Sequence, residues 1–317
     1  MNRKAELKKA TRTTAVVAWP NDLKIGFHVS VAGGPKALFE RYRARACQSL
    51  QIFVGSPRVW KRTPLSPEYL LEFQTQREAV GNPPLVVHTG YLINLASARP
   101  EVRDGSIHLL REEYQLAKAL GADYVVQHMG SHAEHKPGLK LMIDGLNEAL
   151  GGRALEKPLL LLENTAGERN DLGARLEDIA RVRAAVDLPT GVCLDTCHAF
   201  QAGYDLVSVD GRQDFFDAWR KHLGVEAVRV VHLNDSLNPF AKGHDRHQHI
   251  GEGHIGDTAI AALLQHRLLK GMTVILETPQ DPSGDPRLEW KNLRRLAANL
   301  GLPDLRIEPS SRKDSAR

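Results

Sequence analysis

Six successive apolar runs in this chain end on a histidine or a carboxylate. The terminal residues are His88, His128, Glu163, Asp195, His232 and Glu277. Imidazole and carboxylate groups are common protein ligands for divalent metal ions. A single histidine in such a position is usually an ordinary core or rim residue. Six successive runs that all end on His, Asp or Glu indicate a shared metal site, provided that the fold brings the ends of the runs together.

Two local pairs extend this candidate site. Asp195 and His198 lie at i and i+3 and share one side if the chain turns helically there. Asp245 and His247 lie at i and i+2 and project the same way from an extended loop. The set then holds nine candidate ligands, whereas a zinc site uses three or four. With one carboxylate bridging, nine suit three ions, and the share of imidazole favours zinc or manganese over magnesium.

The stretch GVCLDTCHAF (191–200) leaves a thiol site as an alternative. Zinc would accept a thiolate from Cys193 or Cys197, but the histidines and carboxylates suffice without one. The spacing also differs from a CxxC site, and free cysteines are usually small buried hydrophobic residues. We therefore favour packing over ligation for both. Three cysteines in the whole chain also argue against a disulfide framework.

Eight apolar runs of strand length set the fold. Such continuous runs are typical of strands buried on both faces, and helical segments separate them. They end every 26 to 45 residues and span 24–28, 50–54, 85–88, 124–128, 159–163, 192–195, 228–232 and 273–277. This pattern predicts a single (β/α)8 TIM barrel, whose strands all end at one mouth. A doubly wound sheet is the alternative, but VAGG (31–34) lacks its usual GxGxxG turn.

The organisation along the chain follows from this barrel. We predict a basic, flexible N-terminal extension over 1–23, the barrel domain over 24–303 and a flexible tail over 304–317. No stretch of 18 apolar residues occurs, which argues against a membrane span. The formal net charge of +4 is compatible with an acidic partner but does not indicate one.

Eight longer motifs carry a family resemblance that runs from about Lys24 to about Gly301. The chain resembles the endonuclease IV family of apurinic/apyrimidinic endonucleases in GFHVSVAGG (26–34), HTGYLINLAS (88–97), HMGSH (128–132), LLENTAGERNDLG (161–173), GVCLDTCHAFQAGYD (191–205), VVHLNDS (230–236), DRHQHIGEGHIG (245–256) and VILET (274–278).

The resemblance implies a trinuclear zinc barrel that acts on DNA. Such enzymes hydrolyse the phosphodiester 5′ to an abasic site in duplex DNA, leaving a 3′-hydroxyl and a 5′-deoxyribose phosphate, and they trim blocked 3′ ends. We therefore expect a metal-dependent DNA-repair nuclease with three zinc ions, with manganese an option at one or more sites. We also expect a monomer without a membrane partner, located in the cytoplasm and associated with the nucleoid through DNA.

The same resemblance implies a role for each ligand. The first zinc would be held by His88, His128 and Glu163. The second would be held by Glu163, Asp195, His232 and Glu277. The third would be held by His198, Asp245 and His247. Glu163 would bridge two ions and help to position a bridging hydroxide as the nucleophile, which makes it the expected catalytic residue.

Four further residues occupy the family's DNA-contacting positions. Arg58, Tyr91 and Leu92 would enter the duplex at the lesion, and Arg246 would contact a phosphate. The chain also departs from some relatives near these loops, which puts individual DNA contacts in doubt but removes no ligand. The departures are Ser56, Val59, Thr89 and Met129.

Two rival functions remain from the sequence. A sugar or sugar-phosphate isomerase or epimerase on a xylose-isomerase-like barrel shares the strand-end carboxylates, but such sites typically hold one or two ions. Asp245 and His247, together with His198, imply a third metal ion. A non-catalytic DNA-binding protein could keep the barrel, although an intact ligand set argues against it.

Overall fold

Eight parallel strands close into a barrel in the computed structural model, which describes residues 17–152 and 157–305. Closure is made by β1 pairing in parallel with β10, so the predicted (β/α)8 barrel is confirmed and the open doubly wound sheet is excluded. Between β7 and β10, the short strands β8 and β9 form an antiparallel pair. The strands are β1 (Lys24–His28), β2 (Leu50–Ile52), β3 (Leu85–His88), β4 (Tyr124–His128), β5 (Leu159–Glu163), β6 (Thr190–Asp195), β7 (Val228–His232), β8 (Asp235–Ser236), β9 (His247–Gln248) and β10 (Thr273–Leu276).

Helices connect the strands around the outside of the barrel. Two begin at serine caps: the Ser66 hydroxyl accepts from the Tyr69 N–H at 3.2 Å, and that of Ser208 from the Gly211 N–H at 3.0 Å. A π-helical turn (Trp219–Leu223) continues α7. The helices are α1 (Gly34–Ala44), α2 (Pro67–Glu78), α3 (Pro100–Ala119), α4 (His135–Leu150), α5 (Leu176–Ala185), α6 (Thr196–Gln201), α7 (Val209–Ala218), α8 (Asp257–Gln265) and α9 (Arg287–Asn299).

A layer of fully buried side chains fills the barrel interior. It is separate from the larger core between strands and helices and consists of Val86, Val126, Leu161, Cys193, Val230 and Ile275. Each member stands two residues before one of the six strand-end ligands, and residues two apart on a strand point the same way. The strands therefore aim all six ligands into the mouth, above an apolar floor.

The described part of the predicted N-terminal extension is packed. Trp19 is 6% exposed and Leu23 is 1% exposed, and both belong to the core between strands and helices. Residues 17–23 therefore contribute to the barrel. At the other end, Leu305 packs against the same core. Residues 1–16 and 306–317, where the sequence predicts flexible ends, lie outside the described residues, and the predicted domain boundaries stay predictions. Among the described helices, none combines the length and apolar character needed to cross a membrane.

Candidate metal centre and its rim

All nine predicted ligands meet at the carboxyl ends of the strands, in three groups, the first two of which share Glu163. Within each group the ligand atoms lie within 4.8 Å of one another. The first group is His88, His128 and Glu163; the second is Glu163, Asp195, His232 and Glu277; the third is His198, Asp245 and His247. These groups coincide with the three ligand sets implied by the resemblance.

Glu163 joins the first group to the second through its two carboxylate oxygens. Its Oε2 lies 3.2 Å from His88 Nε2 and 3.1 Å from His128 Nε2. Its Oε1 lies 2.8 Å from His232 Nδ1. The residue is fully buried at the end of β5. One oxygen therefore faces each group, which is the arrangement a bridging carboxylate requires.

The third group centres on the Asp245 carboxylate. Asp245 Oδ1 lies 3.1 Å from His198 Nε2 and 3.3 Å from His247 Nε2. Both ring nitrogens are buried, and neither has a hydrogen-bond partner with good geometry. A buried nitrogen without a partner is costly, whereas a cation between these atoms would use its lone pair. The three residues thus fit a metal ion.

The turn after β6 places two ligands in different groups. Asp195 ends the strand and also caps α6, because its Oδ1 accepts from the His198 N–H at 2.7 Å. The His198 ring is oriented from the other side by the Asn164 carbonyl, 2.8 Å from Nδ1. A ring whose Nδ1 donates to a carbonyl presents Nε2 to a metal.

Gln51 supports the second group and was not singled out from the sequence. Its side-chain oxygen lies 2.8 Å from His232 Nε2, and its amide donates to Glu277 Oε1 at 2.6 Å. The amide also lies 3.1 Å from His28 Nδ1, so the first strand reaches the centre through a neighbour of a ligand. The sequence did contain a signal for this role, because a polar glutamine interrupts the apolar run of β2. In the structure this glutamine is fully buried.

Two asparagines hold Asp195 in a similar way. The Asn164 side chain donates to the Asp195 carbonyl at 3.0 Å and accepts from its N–H at 2.7 Å. Asn234 donates to Asp195 Oδ2 at 2.7 Å and accepts from the Glu277 N–H at 2.8 Å. Each asparagine stands one or two residues after a ligand in the sequence, which is the signal that could have revealed them.

The electrostatics of the centre favour cations. Burial would raise the pKa of Glu163, but the neighbouring His128 and His232 outweigh it and hold that pKa well below its usual range. Burial would likewise lower the pKa of His198, but the carboxylates of Asp195 and Asp245 raise it well above its usual value. Four carboxylates therefore share this site, and the protonated imidazoles beside them would balance part of their charge. Metal cations would supply the same balance.

The two cysteines beside the centre remain buried thiols. Cys193 belongs to the apolar floor, and burial raises its pKa to about 12. Burial also raises the pKa of the Cys197 thiol, whose Sγ lies 3.6 Å from the Arg246 carbonyl. Both sulfur atoms come within 4.8 Å of predicted ligand atoms. Buried free cysteines usually pack as small hydrophobic residues, and the histidines and carboxylates suffice without them, so packing remains the favoured role.

The four predicted DNA-contacting residues stand on loops around the mouth. Arg58 and Arg246 are exposed, Tyr91 is 62% exposed and Leu92 is half-buried. The Tyr91 N–H donates to the Pro57 carbonyl at 3.0 Å, which ties the loop after β3 to the loop after β2. The structure thus brings Arg58, Tyr91 and Leu92 together on adjoining loops. Arg246 stands on the β8–β9 loop, between two ligands of the third group in the sequence.

An aromatic contact links this rim to the first metal group. The Tyr91 ring packs edge-on against Phe53 at a centroid distance of 5.3 Å, and Phe53 packs against His88 at 5.6 Å. Further large apolar side chains are exposed on two loops, one after β2 and one between β8 and β9. They are Val59, Trp60, Leu237 and Phe240. These exposed residues were not predicted as contacts.

Comparison with known proteins identifies the family. The sequence model of the xylose isomerase-like TIM barrel family matches residues 39–300. A probable endonuclease 4 from Halothermothrix orenii is 40% identical over 278 residues, covering 86% of this chain and 99% of that relative. The chain belongs to the endonuclease IV family. A second probable endonuclease 4, from Methanosphaerula palustris, is 39% identical over 87% of this chain and 98% of the relative.

Solved structures agree with this membership of the endonuclease IV family. Endonuclease IV from Thermus thermophilus matches with a TM-score of 0.77 and 37% identity, over 88% of this chain and 99% of that one. A D-tagatose 3-epimerase-like protein matches with a TM-score of 0.65, over 88% of this chain and 98% of that one. Its identity is 21%, so that likeness concerns the fold alone.

Proposed function

We propose that this protein is a DNA-repair endonuclease that hydrolyses the phosphodiester 5′ to abasic sites in duplex DNA. The products would be a 3′-hydroxyl and a 5′-deoxyribose phosphate, and the same site would trim blocked 3′ ends. The observation that carries the proposal is the set of three metal-competent groups, two of which share Glu163, in a chain of the endonuclease IV family.

The proposed cofactor is three zinc ions, with manganese an option at one or more sites. Five imidazoles among nine ligands suit zinc or manganese better than magnesium, which prefers oxygen. The three groups would each hold one ion, and Glu163 would be shared between the first two. Bound metal ions would lower the pKa of water toward about 7 and neutralise the charge of the phosphate.

The protein's own residues have distinct parts in this reaction. Glu163 would orient the attacking water as well as hold two ions, because its oxygens face both groups. Gln51 and the two asparagines would keep the ligands from rotating. Arg246 is exposed between two ligands of the third group, and its Nη1 donates to the Asp245 carbonyl at 2.6 Å. From there its guanidinium would bind the phosphate beside the scissile bond.

Lesion recognition would fall to the loops after β2 and β3. An abasic nucleotide has lost its stacking, so extruding it costs less than flipping a normal base. Arg58, Tyr91 and Leu92 would fill the space in the duplex. Exposed cationic side chains on the same rim would contact the DNA backbone and make binding salt-dependent. They are Arg58, Lys61, Arg169, Lys242 and Arg246.

The alternative is a metal-dependent sugar or sugar-phosphate isomerase or epimerase. The structural likeness to an epimerase-like protein makes the fold compatible with it. The third group argues for the nuclease, since His198, Asp245 and His247 add a site beyond the one or two ions of a sugar isomerase. Metal stoichiometry distinguishes the two functions.

Cleavage of a duplex oligonucleotide with one stable abasic-site analogue tests the proposal. We expect a cut immediately 5′ to the analogue, with a 3′-hydroxyl on the product, that disappears after chelation and returns on adding zinc. An undamaged duplex of the same sequence is the control. Absence of cleavage by protein containing about three metal ions per chain would contradict the nuclease and direct attention to sugar phosphates.

A further inference from the structure

A buried ion pair joins the two βα units that carry the proposed lesion-recognition loops. These are the loop after β2 and the loop after β3. The Arg62 and Glu113 side chains are 3% and 2% exposed. Arg62 Nε donates to Glu113 Oε1 at 2.7 Å, and Arg62 Nη2 makes a second hydrogen bond to the same oxygen. Arg62 lies between β2 and α2, whereas Glu113 lies in α3, which follows β3. The pair therefore connects two successive βα units.

Each partner also binds the backbone of one recognition loop. Arg62 Nη1 donates to the Val59 carbonyl at 2.6 Å, directly after Arg58 in the chain. Glu113 Oε2 accepts from the Gly90 N–H at 2.9 Å, directly before Tyr91. The pair thus fixes the backbone next to both side chains that would enter the duplex.

Close packing around the pair leaves little freedom. A Cβ atom on Gly90 would lie 2.8 Å from Arg62 Nη2, and one on Gly55 would lie 3.0 Å from Arg62 Cδ. Glycine at these positions lets both loops approach the guanidinium. Arg62 consequently fills the space between the two loops.

Stability alone gives a weak reason for such a pair. Burying two charges carries a large desolvation penalty, and well-packed apolar residues often replace a buried pair without loss of stability. An apolar pair would, however, leave the Val59 carbonyl and the Gly90 N–H without partners. We propose that Arg62 and Glu113 are positioning residues that set the placement of Arg58 and Tyr91 for recognition of the abasic site. This inference rests on the proposed function.

Variants of Arg62 and Glu113 should lose the preference for abasic over undamaged duplex but keep the ability to hydrolyse a phosphodiester. Neither residue belongs to a metal group, so metal content and hydrolysis of a small diester should persist in their variants. Binding of an abasic duplex should weaken relative to an undamaged duplex, because displaced recognition side chains no longer match the lesion. A misplacement of about 1 Å can lower the rate of a reaction that depends on positioning by about 100-fold, and we expect an effect of up to that size on recognition of the lesion.

The test compares two buried ion pairs in the full chain. Arg62→Met/Glu113→Leu removes the pair at the loops. Arg45→Met/Glu289→Leu removes a matched pair, joined by a 2.7 Å contact with side chains 4% and 1% exposed. Arg45 makes its other side-chain hydrogen bond to the Gly284 carbonyl, away from both recognition loops. Arg62→Lys keeps the charge but lacks the planar guanidinium that reaches both Glu113 and Val59. This single variant replaces the double variant in the test if the double variant does not fold.

The measured quantity is the ratio of dissociation constants for undamaged and abasic-analogue duplexes, by fluorescence anisotropy at fixed salt. Metal content and hydrolysis of bis(p-nitrophenyl) phosphate are measured in parallel. We expect the ratio to fall about 10- to 100-fold in the Arg62 variants and to stay at the wild-type value in the Arg45 double variant.

Two outcomes would overturn the inference. One is a wild-type ratio in both Arg62 variants. The other is an equal fall in both double variants, which would assign the effect to general stability. A wild-type protein that neither discriminates nor cleaves the abasic duplex would reject the proposed function itself, and this is read from the wild-type arm alone.

Discussion

The candidate metal centre has a strand half, built on strand ends, and a loop half, in which Asp245 and His247 from the β8–β9 segment meet His198 from α6. In the strand half, the His88, Glu163 and His232 side chains are at most 4% exposed. His128 and Glu277, nearer the opening of the mouth, are 35% and 18% exposed. In the loop half, the Asp245 side chain is 42% exposed and that of His247 is 16% exposed. A barrel positions strand-end ligands through its backbone, whereas a loop needs a separate anchor. The two halves should therefore respond differently to the same disturbance.

Asp235 provides that anchor for the loop half. Its fully buried carboxylate accepts from the backbone N–H groups of four residues beyond β9, at distances from 2.9 to 3.4 Å. These residues are Gly251, Gly253, Ile255 and Gly256. The β8–β9 pairing fixes the near side, with Ser236 opposite His247. One carboxylate thus holds the far end of the loop that carries two ligands.

The largest effect should come from Glu163→Gln, which removes the charge shared by two groups. We expect cleavage of the abasic duplex to fall about 10²–10⁴-fold, which is the range for losing a positioned group that activates the attacking water. Metal content should also fall by more than one ion per chain. Glu277→Gln is the control, since Glu277 belongs to one group only. An equal loss of metal in both variants would argue against the bridge.

Asp235→Ala should weaken the loop half selectively. We expect the affinity for one metal ion to fall about 10- to 100-fold, as is typical when a residue supporting a ligand is removed. The other two ions should stay bound, as measured by metal analysis after graded chelation. Asp178→Ala is the matched control, because Asp178 is also buried and its carboxylate pairs with His135 at 2.9 Å, outside the loop half. Loss of all three ions together would contradict the division into two halves.

The strand half was also the more predictable from the sequence. Its ligands end continuous apolar runs, and the period of two that aims them into the mouth is a property of any strand. The barrel followed from the spacing of those runs. The last predicted strand residue, Glu277, lies just beyond β10, and the second run ends at Ile52 rather than Val54. Such differences at strand ends do not move a ligand.

Other parts of the site have no local signal. The partners Arg62 and Glu113 are 51 residues apart, and each alone reads as a surface charge on a loop or helix. Their pairing depends on how two βα units pack, which periodicity does not encode. Gln51 did carry a signal, but an isolated polar residue in an apolar run has many explanations. The predicted DNA-contacting residues came from the family resemblance, since exposed arginines and tyrosines have no spacing rule.

On the recognition loops, Tyr91→Ala should weaken abasic binding without emptying the strand half. We expect about a tenfold loss of affinity for the abasic-analogue duplex, which is within the range for losing one aromatic stacking contact. Metal content should be unchanged, although Tyr91 reaches His88 through Phe53. Tyr69→Ala is the control for a half-buried tyrosine outside the predicted contacts. A drop in bound metal with Tyr91→Ala would show that the rim and the first group are coupled.

The smallest expected effect is a change of thermal stability with pH. This change should have opposite signs in metal-free and metal-bound protein. In metal-free protein, Asp195 and Asp245 raise the pKa of His198 against the opposing effect of burial. This stabilisation is complete below the ordinary histidine pKa of about 6.5 and is lost as pH rises through the raised value. In metal-bound protein, protons compete with the metal for the same ring, so stability should rise with pH. We expect Tm to shift by about 2–4 °C in opposite directions between pH 6.5 and 8.5 for the two forms, which corresponds to about 1 kcal/mol. In His198→Asn the metal-free shift should shrink; shifts of the same sign with and without metal would contradict a charge balance that metal and protons share.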